Sequence, residues 1–283
     1  MQRLDATPTW ETAENMHRNM FTTLLRSYGK FTLKSGGDIS ADGMEKTADI
    51  CVVIPTYNEA MNIGKILQQL MGLPFPNLWA VVVDDGSPDG TADVVKKISE
   101  TNHRIILHNR GAKKGLGSAY YEGFKIALTL KPRVILSMDA DGSHPVELVP
   151  ELVKAVEEGA DAAVASRYIK GGKWSSDFFR MLVSRGANLL ARMATGAELR
   201  DMTSGYRAYS QRAVKHLVEK PFEKGYVFQV ELLHRLLSQG YKVVEIPLVF
   251  MPRMAGKSKL SKKEIVNFLR WSMKMLFARI MGR

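Results

Sequence analysis

Ile50-Cys-Val-Val-Ile54 is an unbroken apolar run, closed by Pro55. A strand that is apolar on both faces must be covered on both, which is the habit of parallel sheets sandwiched between helices. The same grammar repeats outward from it. Met61 to Met71 carries Ile63, Ile66, Leu67 and Leu70 at helical spacing and stops at Gly72. Leu78 to Val83 reads as a second buried strand and Asp93 to Ser99 as helix. Arg104 to Leu107 is then extended, Ala119 to Leu130 helical and Val134 to Met138 extended again. Val146 to Glu158 is a further helix and Ala160 to Ala165 a further strand. Beyond Arg167 the spacing predicts a long helix over Phe178 to Met193, a loop through Asp201 to Arg207, and a helix over Val227 to Leu237. A strand over Val243 to Phe250, a basic loop and a C-terminal helix complete the chain. The alternation predicts an α/β fold with a mixed, mostly parallel sheet flanked by helices.

The 283 residues suffice for one large domain or two small ones, with a real core. Lysine plus arginine number 40 against 29 acidic residues, a net charge of +11 that favours anionic partners such as nucleic acid, acidic lipid or phosphorylated substrates. Cys51 is the single cysteine, which excludes an intrachain disulfide and points to a reducing compartment. No uncharged apolar run reaches membrane-spanning length, and Met1 to Met20 lacks the apolar core of a signal peptide. Residues 1–47 are polar and read as an extension, with one weak apolar stripe through Phe21, Leu24, Leu25 and Tyr28.

The chemistry gathers where strands end. Asp139-Ala140-Asp141 follows an apolar strand, and residues two apart there point to one side, so two hard oxygen ligands can face one point. Taken alone, such a pair is more often a solvated turn. A second acidic pair, Asp84-Asp85, closes Val81-Val-Val83 and opens the turn Gly86-Ser-Pro-Asp-Gly90. Pro55-Thr-Tyr57-Asn-Glu59 leaves the first strand in the same way, with a ring face and an acceptor. These ends meet in one crevice if their strands are neighbours. Gly115 and Gly117 do not make a dinucleotide fingerprint, because position 120 is tyrosine and no apolar strand immediately precedes them. There is no phosphate-loop lysine motif and no His-Glu-x-x-His spacing.

Ile54-Pro-Thr-Tyr-Asn-Glu59, Asp84-Asp-Gly-Ser-Pro-Asp-Gly-Thr91 and Asp139-Ala-Asp141 together resemble the nucleotide-sugar domain of family 2 glycosyltransferases with the GT-A fold. Gly115-Leu-Gly-Ser-Ala119, Ser166-Arg-Tyr168, Ser184-Arg-Gly-Ala-Asn188, Asp201-Met-Thr-Ser-Gly-Tyr-Arg207, Gly225-Tyr-Val-Phe-Gln229 and Arg253-Met-Ala-Gly-Lys-Ser-Lys259 narrow the resemblance to the dolichyl-phosphate mannose synthases. It spans roughly residues 50–270. The resemblance implies inverting, metal-dependent transfer of mannose from GDP-mannose to a dolichyl or polyprenyl phosphate. It assigns the donor site to Pro55, Tyr57, Glu59, Val83, Asp85, Asp139, Ala140, Asp141, Arg253 and Lys259. It assigns the acceptor phosphate to Arg167, Arg180 and Ser184, and Mg²⁺ or Mn²⁺ to Asp139, Asp141 and Ser143. Serine at position 143 departs from relatives that place a stronger ligand there. Asp139, Asp141 and Arg167 are the expected catalytic group.

An acceptor phosphate is already ionised at neutral pH and needs no general base, which agrees with glutamine at position 229. Glu231 is either a base or a helix-face carboxylate bound to a neighbour. The expected division is an N-terminal extension over 1–47, a GT-A domain over 48–260 and an amphipathic C-terminal helix over 261–283. In that helix 12 of the 17 residues from Ile265 to Met281 are apolar, with Lys263, Asn267, Arg270 and Lys274 in a polar band. It suits a membrane surface or a packed interface. A lipid acceptor implies work at the cytoplasmic face of a membrane, with contact supplied by this helix or by a small membrane-anchoring subunit. Two other readings stand beside it: the same chemistry with UDP-glucose or another nucleotide sugar, and a basic nucleic-acid-binding protein. The second lacks a binding motif, and the expectation is no nucleic acid.

Overall fold

The computed structural model describes residues 47–174, 178–223, 225–251 and 262–281. The N-terminal extension, Arg253, Lys259 and the side chain of Arg180 lie outside the described residues.

The run that opened the reading is strand β1 (Ile50–Thr56), every residue of it buried. It lies between β2 (Leu78–Asp84) and β4 (Val134–Ser137), and β3 (Ile105–Asn109) flanks β2. All three pairings are parallel. Beyond β4 come β7 (Arg207–Ser210), β5 (Ala162–Ser166) and β8 (Val243–Pro247), with β7 antiparallel to both of its neighbours. The result is a mixed, mostly parallel seven-stranded sheet.

Alternate residues of one strand feed two different cores, as the pleat requires. Ile50, Val52 and Ile54 pack with α1 (Ala60–Met71), α2 (Thr91–Thr101) and α4 (Val149–Glu157). Cys51 and Val53 pack on the other face with α3 (Leu116–Thr129), α6 (Gln211–Leu217) and α7 (Phe228–Ser238). Pro55 is tolerated inside β1 because β1 and β4 pair only over Ile50 to Val53, so its missing N–H lies past the last of those rungs.

A third, smaller core joins α7 to α5 (Phe178–Thr195) and α8 (Lys262–Ile280), through Ala191, Val230, Leu233, Phe268 and Trp271. The C-terminal helix is thus packed on the domain, yet it leaves Val266, Met273, Phe277 and Ile280 exposed. Among the described residues no helix is long and apolar enough to cross a membrane.

Four local expectations change. The stretch read as a loop up to Arg207 continues as β7 and α6, where the Ser210 hydroxyl accepts the Ala213 N–H and caps the helix. The strand expected over Val243 to Phe250 breaks at Leu248, whose N–H donates to the Ser166 carbonyl, leaving β9 (Val249–Phe250) to pair with β6 (Lys173–Trp174). The helix expected from Val146 begins as a 3-10 turn over Val146–Leu148. Finally, β4 ends at Ser137 and its ladder adds one more bond, from Met138 N–H to the Val53 carbonyl. Asp139 and Asp141 therefore sit in the turn after the strand, and strand alternation does not set their directions.

Candidate active site

The chain runs β1, β2, β3 to one side and returns through β4 on the other side of β1. The crevice beyond the carboxyl ends of β2, β1 and β4 is the switch point where open α/β sheets bind ligands. Pro55 and Val83 are register partners at its mouth. The strand ends anticipated from sequence do converge.

The first wall is a loop lock. Asp84 accepts from the Thr56 hydroxyl (2.8 Å), the Ser87 N–H (2.8 Å) and the Ser87 hydroxyl (2.6 Å). Asp89 accepts from the Ala60 and Thr91 N–H groups, and Thr91 in turn accepts the Glu59 N–H. Most of the carboxylates in the Asp84 to Thr91 motif therefore position backbone. Glu59 is buried and accepts from the Asn62 amide at 2.9 Å. Tyr57 carries the Lys113 ammonium 4.2 Å from its ring centroid.

Asp85 holds the second wall. One oxygen accepts two guanidinium N–H groups of buried Arg110, and the other accepts the Lys114 and Gly115 N–H groups, each at 3.1 Å. Four donors fill the usual capacity of a carboxylate. Arg110 also reaches Ser118 and Glu122. Sequence reasoning missed Arg110; its signal was a lone arginine at the end of the third parallel strand. Gly86 sits in the left-handed region (φ +69°), and a Cβ there would lie 2.7 Å from the Gly111 carbonyl carbon. Only glycine lets the two loops meet this closely.

The acidic turn forms the floor. Asp139 is partly exposed; its Oδ1 accepts the hydroxyl of fully buried Tyr120 at 3.0 Å. Its backbone N–H donates to His144 Nδ1 at 3.0 Å, so the His144 proton sits on Nε2, which lies 3.9 Å from Asp139 Oδ2. His144 is fixed by stacking on Tyr206, with centroids 4.7 Å apart. Asp141 accepts the Ser143 hydroxyl (2.6 Å) and N–H (3.0 Å). Asp139, Asp141 and Ser143 thus share one turn. Among the described residues no set of three histidine, cysteine or acidic side chains forms a self-sufficient metal cage. Asp139 is the partly exposed carboxylate of the turn and Asp141 is buried; two hard carboxylates on one turn fit a Mg²⁺-type ion that takes its other oxygens from a diphosphate and water. Gln229 borders the same place: a Cβ on Gly205 would sit 2.6 Å from its amide nitrogen and 3.8 Å from Asp139 Oδ1.

Arg167 follows β5 on the far side. Its Nε and Nη2 each donate to Asp201 at 2.7 Å, and Nη2 also donates to Thr203 at 2.8 Å. The guanidinium lies 4.7 Å over the Trp174 ring, which itself stacks on Phe250 at 5.0 Å. Burial pushes the Asp201 carboxyl up, but the Arg167 charge outweighs it and holds Asp201 below the usual carboxylate range. Among the described residues Nη1 has no hydrogen-bond partner, unlike Nε and Nη2. Ser184 on α5 accepts the Tyr168 hydroxyl at 2.8 Å, beside Arg167 in sequence. Glu231 accepts the Glu223 N–H and an Arg235 N–H, the geometry of the bound helix-face carboxylate.

Residues 51–218 match the sequence model described as Glycosyl transferase family 2. The polyprenol monophosphomannose synthase of Mycolicibacterium smegmatis is 39% identical over 219 residues, covering 76% of this chain and 82% of that protein. The undecaprenyl-phosphate mannosyltransferase of Micrococcus luteus is 37% identical over 232 residues, covering 79% of this chain and 94% of that protein. Among solved structures, glucosyl-3-phosphoglycerate synthase from Mycobacterium tuberculosis, crystallised with Mn²⁺, UDP and glucosyl-3-phosphoglycerate, superposes with a TM-score of 0.60. It covers 82% of this chain and 80% of its own at 19% identity, a likeness of fold.

Proposed function

The chain belongs to glycosyl transferase family 2, and from that premise we propose that it transfers mannose from GDP-mannose to a polyprenyl (dolichyl-type) phosphate, with inversion, at a membrane surface. The enzyme class is that of a glycosyltransferase. One observation supports the chemistry: the acidic turn after β4 and Arg167 after β5 lie at the same end of the sheet. The relatives named for mannose and for polyprenyl phosphates support the substrate pair.

Pro55, Tyr57, Glu59 and Val83 line the nucleoside side of the crevice in this reading. Asp85 acts there by fixing the Arg110 and Gly115 loop. Asp139 and Asp141, with Ser143 beside them, hold Mg²⁺ or Mn²⁺ on the donor diphosphate. Bound there, the ion supplies charge neutralisation for the departing GDP. Arg253 and Lys259 are assigned to the same diphosphate on the sequence motif alone, and Arg180 to the acceptor on the same ground. Arg167 presents Nη1 to the acceptor phosphate, while Ser184 offers a hydroxyl. The phosphate oxygen attacks the anomeric carbon without a general base, which fits a glutamine at position 229 and a Glu231 already engaged. Catalysis is then mostly alignment of two anions plus charge compensation.

Membrane contact fits the exposed apolar residues that α5 and α8 carry, Leu182, Leu189 and Met193 beside Val266, Phe277 and Ile280. The enzyme would act as a peripheral protein on the cytoplasmic face; a small anchoring subunit would be needed only if that face does not bind lipid. The test of the site is Asp141→Asn with a nucleotide panel. Transfer should fall to background with an unchanged circular-dichroism spectrum, and GDP should displace the donor better than UDP. Retained transfer would remove the metal role, and UDP preference would change the donor.

A further inference from the structure

Arg185, Asn188, Leu189 and Arg192 lie three, four and seven residues apart on α5, so they share one helix face. With Tyr168 and Arg200 they line a cavity of about 280 Å³. Three exposed arginines line it, and among the described residues no acidic one does. By contrast, Arg110, Arg167, Arg212 and Arg235 each pair with an acidic side chain. Among the described residues Arg185, Arg192 and Arg200 have no ion pair. Glu245, which reaches this region, spends both oxygens on the backbone N–H groups of Arg200 and Asp201. Like charges gathered in a concave site are unfavourable until an anion joins them, and guanidinium forks suit tetrahedral phosphate oxygens.

The helix itself indicates which anion. Leu189 lines the cavity and is 58% exposed, and Leu182 and Met193 lie on the same helix, also exposed. A phosphate bound here would have apolar surface beside it for acyl chains. We propose that this cavity binds the phosphodiester headgroup of an acidic membrane phospholipid, separately from the acceptor phosphate at Arg167. The proposal rests on the membrane-docking part of the functional reading and is independent of which sugar is transferred.

The test is flotation of the full chain with vesicles of phosphatidylcholine alone or mixed with phosphatidylglycerol. The double variant Arg192→Gln/Arg200→Gln should lose roughly thirtyfold of its partitioning onto the acidic vesicles. Binding to neutral vesicles, which reports the apolar face, should not change, and neither should mannosyl transfer to acceptor in detergent. Arg192→Lys/Arg200→Lys should also weaken acidic binding, because lysine cannot reproduce the bidentate fork. Lys96→Gln/Lys97→Gln on α2, with the same charge change on another helix, should have little effect. Full acidic binding by the lysine pair, or an equal loss in the α2 variant, would overturn the proposal in favour of diffuse charge. Saturable binding of inorganic phosphate that displaces the vesicles would overturn it in favour of a soluble phosphate ligand. Displacement by duplex DNA at equal phosphate concentration would do so in favour of nucleic acid. Loss of transfer in the wild-type chain with these vesicle results intact would sink the catalytic reading and leave this one standing.

Discussion

Asp201 accepts from Nε and Nη2 of the Arg167 guanidinium and so fixes its orientation. Asp201→Asn leaves a buried arginine without its counter-charge, and the expected cost is about 3–5 kcal/mol, read from urea unfolding. The folded pKa of Asp201 is depressed, so its contribution is fully present above the ordinary aspartate value of about 3.9 and is lost as pH falls through the lower folded value. The stability gap between wild type and variant should therefore be flat near neutrality and close only in acid. A gap that closes between neutrality and weak acid would mean another group controls it. Tyr120→Phe removes a hydroxyl from Asp139 and leaves the ring, so Mn²⁺ affinity with GDP should fall roughly tenfold while unfolding changes little. Unchanged Mn²⁺ affinity would show that the hydroxyl does not orient the carboxylate. Asp139, Asp141 and Arg167 could be singled out because each stands in a local motif. Tyr120 and Arg110 were not named as site residues because they reach the site across the fold, from nineteen positions before Asp139 and twenty-five after Asp85; His144, five residues from Asp139, read only as part of a turn.

Elements legible in the sequence were those buried on both faces: β1, β2 and β4 announce themselves as apolar runs, and α1 as a helical stripe. β7 did not. It has four residues, begins with an arginine and ends with a serine, and no periodicity can emerge from so short a stretch. Arg207 can be fully buried in it because the Met202 and Gln229 carbonyls accept its N–H groups. The acidic pair needed the structure too, since β4 stops before it. At the end of β2, Gly86→Ala adds a Cβ against the Gly111 backbone at a positive φ. The expected cost is about 1–3 kcal/mol of stability, with weaker nucleotide binding as the Arg110 loop is pushed away. A variant with normal nucleotide affinity would detach that loop from the donor site.

Among the described residues most of the large exposed apolar side chains gather on α5 and α8. The sheet end carries the acidic turn, and α5 with α8 carries cations beside exposed apolar side chains. Deleting residues from Ile265 onward should weaken neutral-vesicle binding and also destabilise the small core around Val164, Met202 and Val230, because Phe268 and Trp271 pack there. Unchanged vesicle binding would assign the α8 face to packing or to a partner. The broad architecture and the enzyme class could be read from strand ends in order along the chain; the double use of α8, packed on one side and exposed on the other, depends on where α5 lies. The most direct measurement is transfer from labelled GDP-mannose to a polyprenyl phosphate in detergent with Mg²⁺, run beside labelled UDP-glucose. A lipid-soluble, acid-labile product from GDP-mannose alone, absent with Asp141→Asn, is the predicted result. Product from UDP-glucose alone, or from neither donor when calorimetry also detects no binding of either nucleotide, would contradict it.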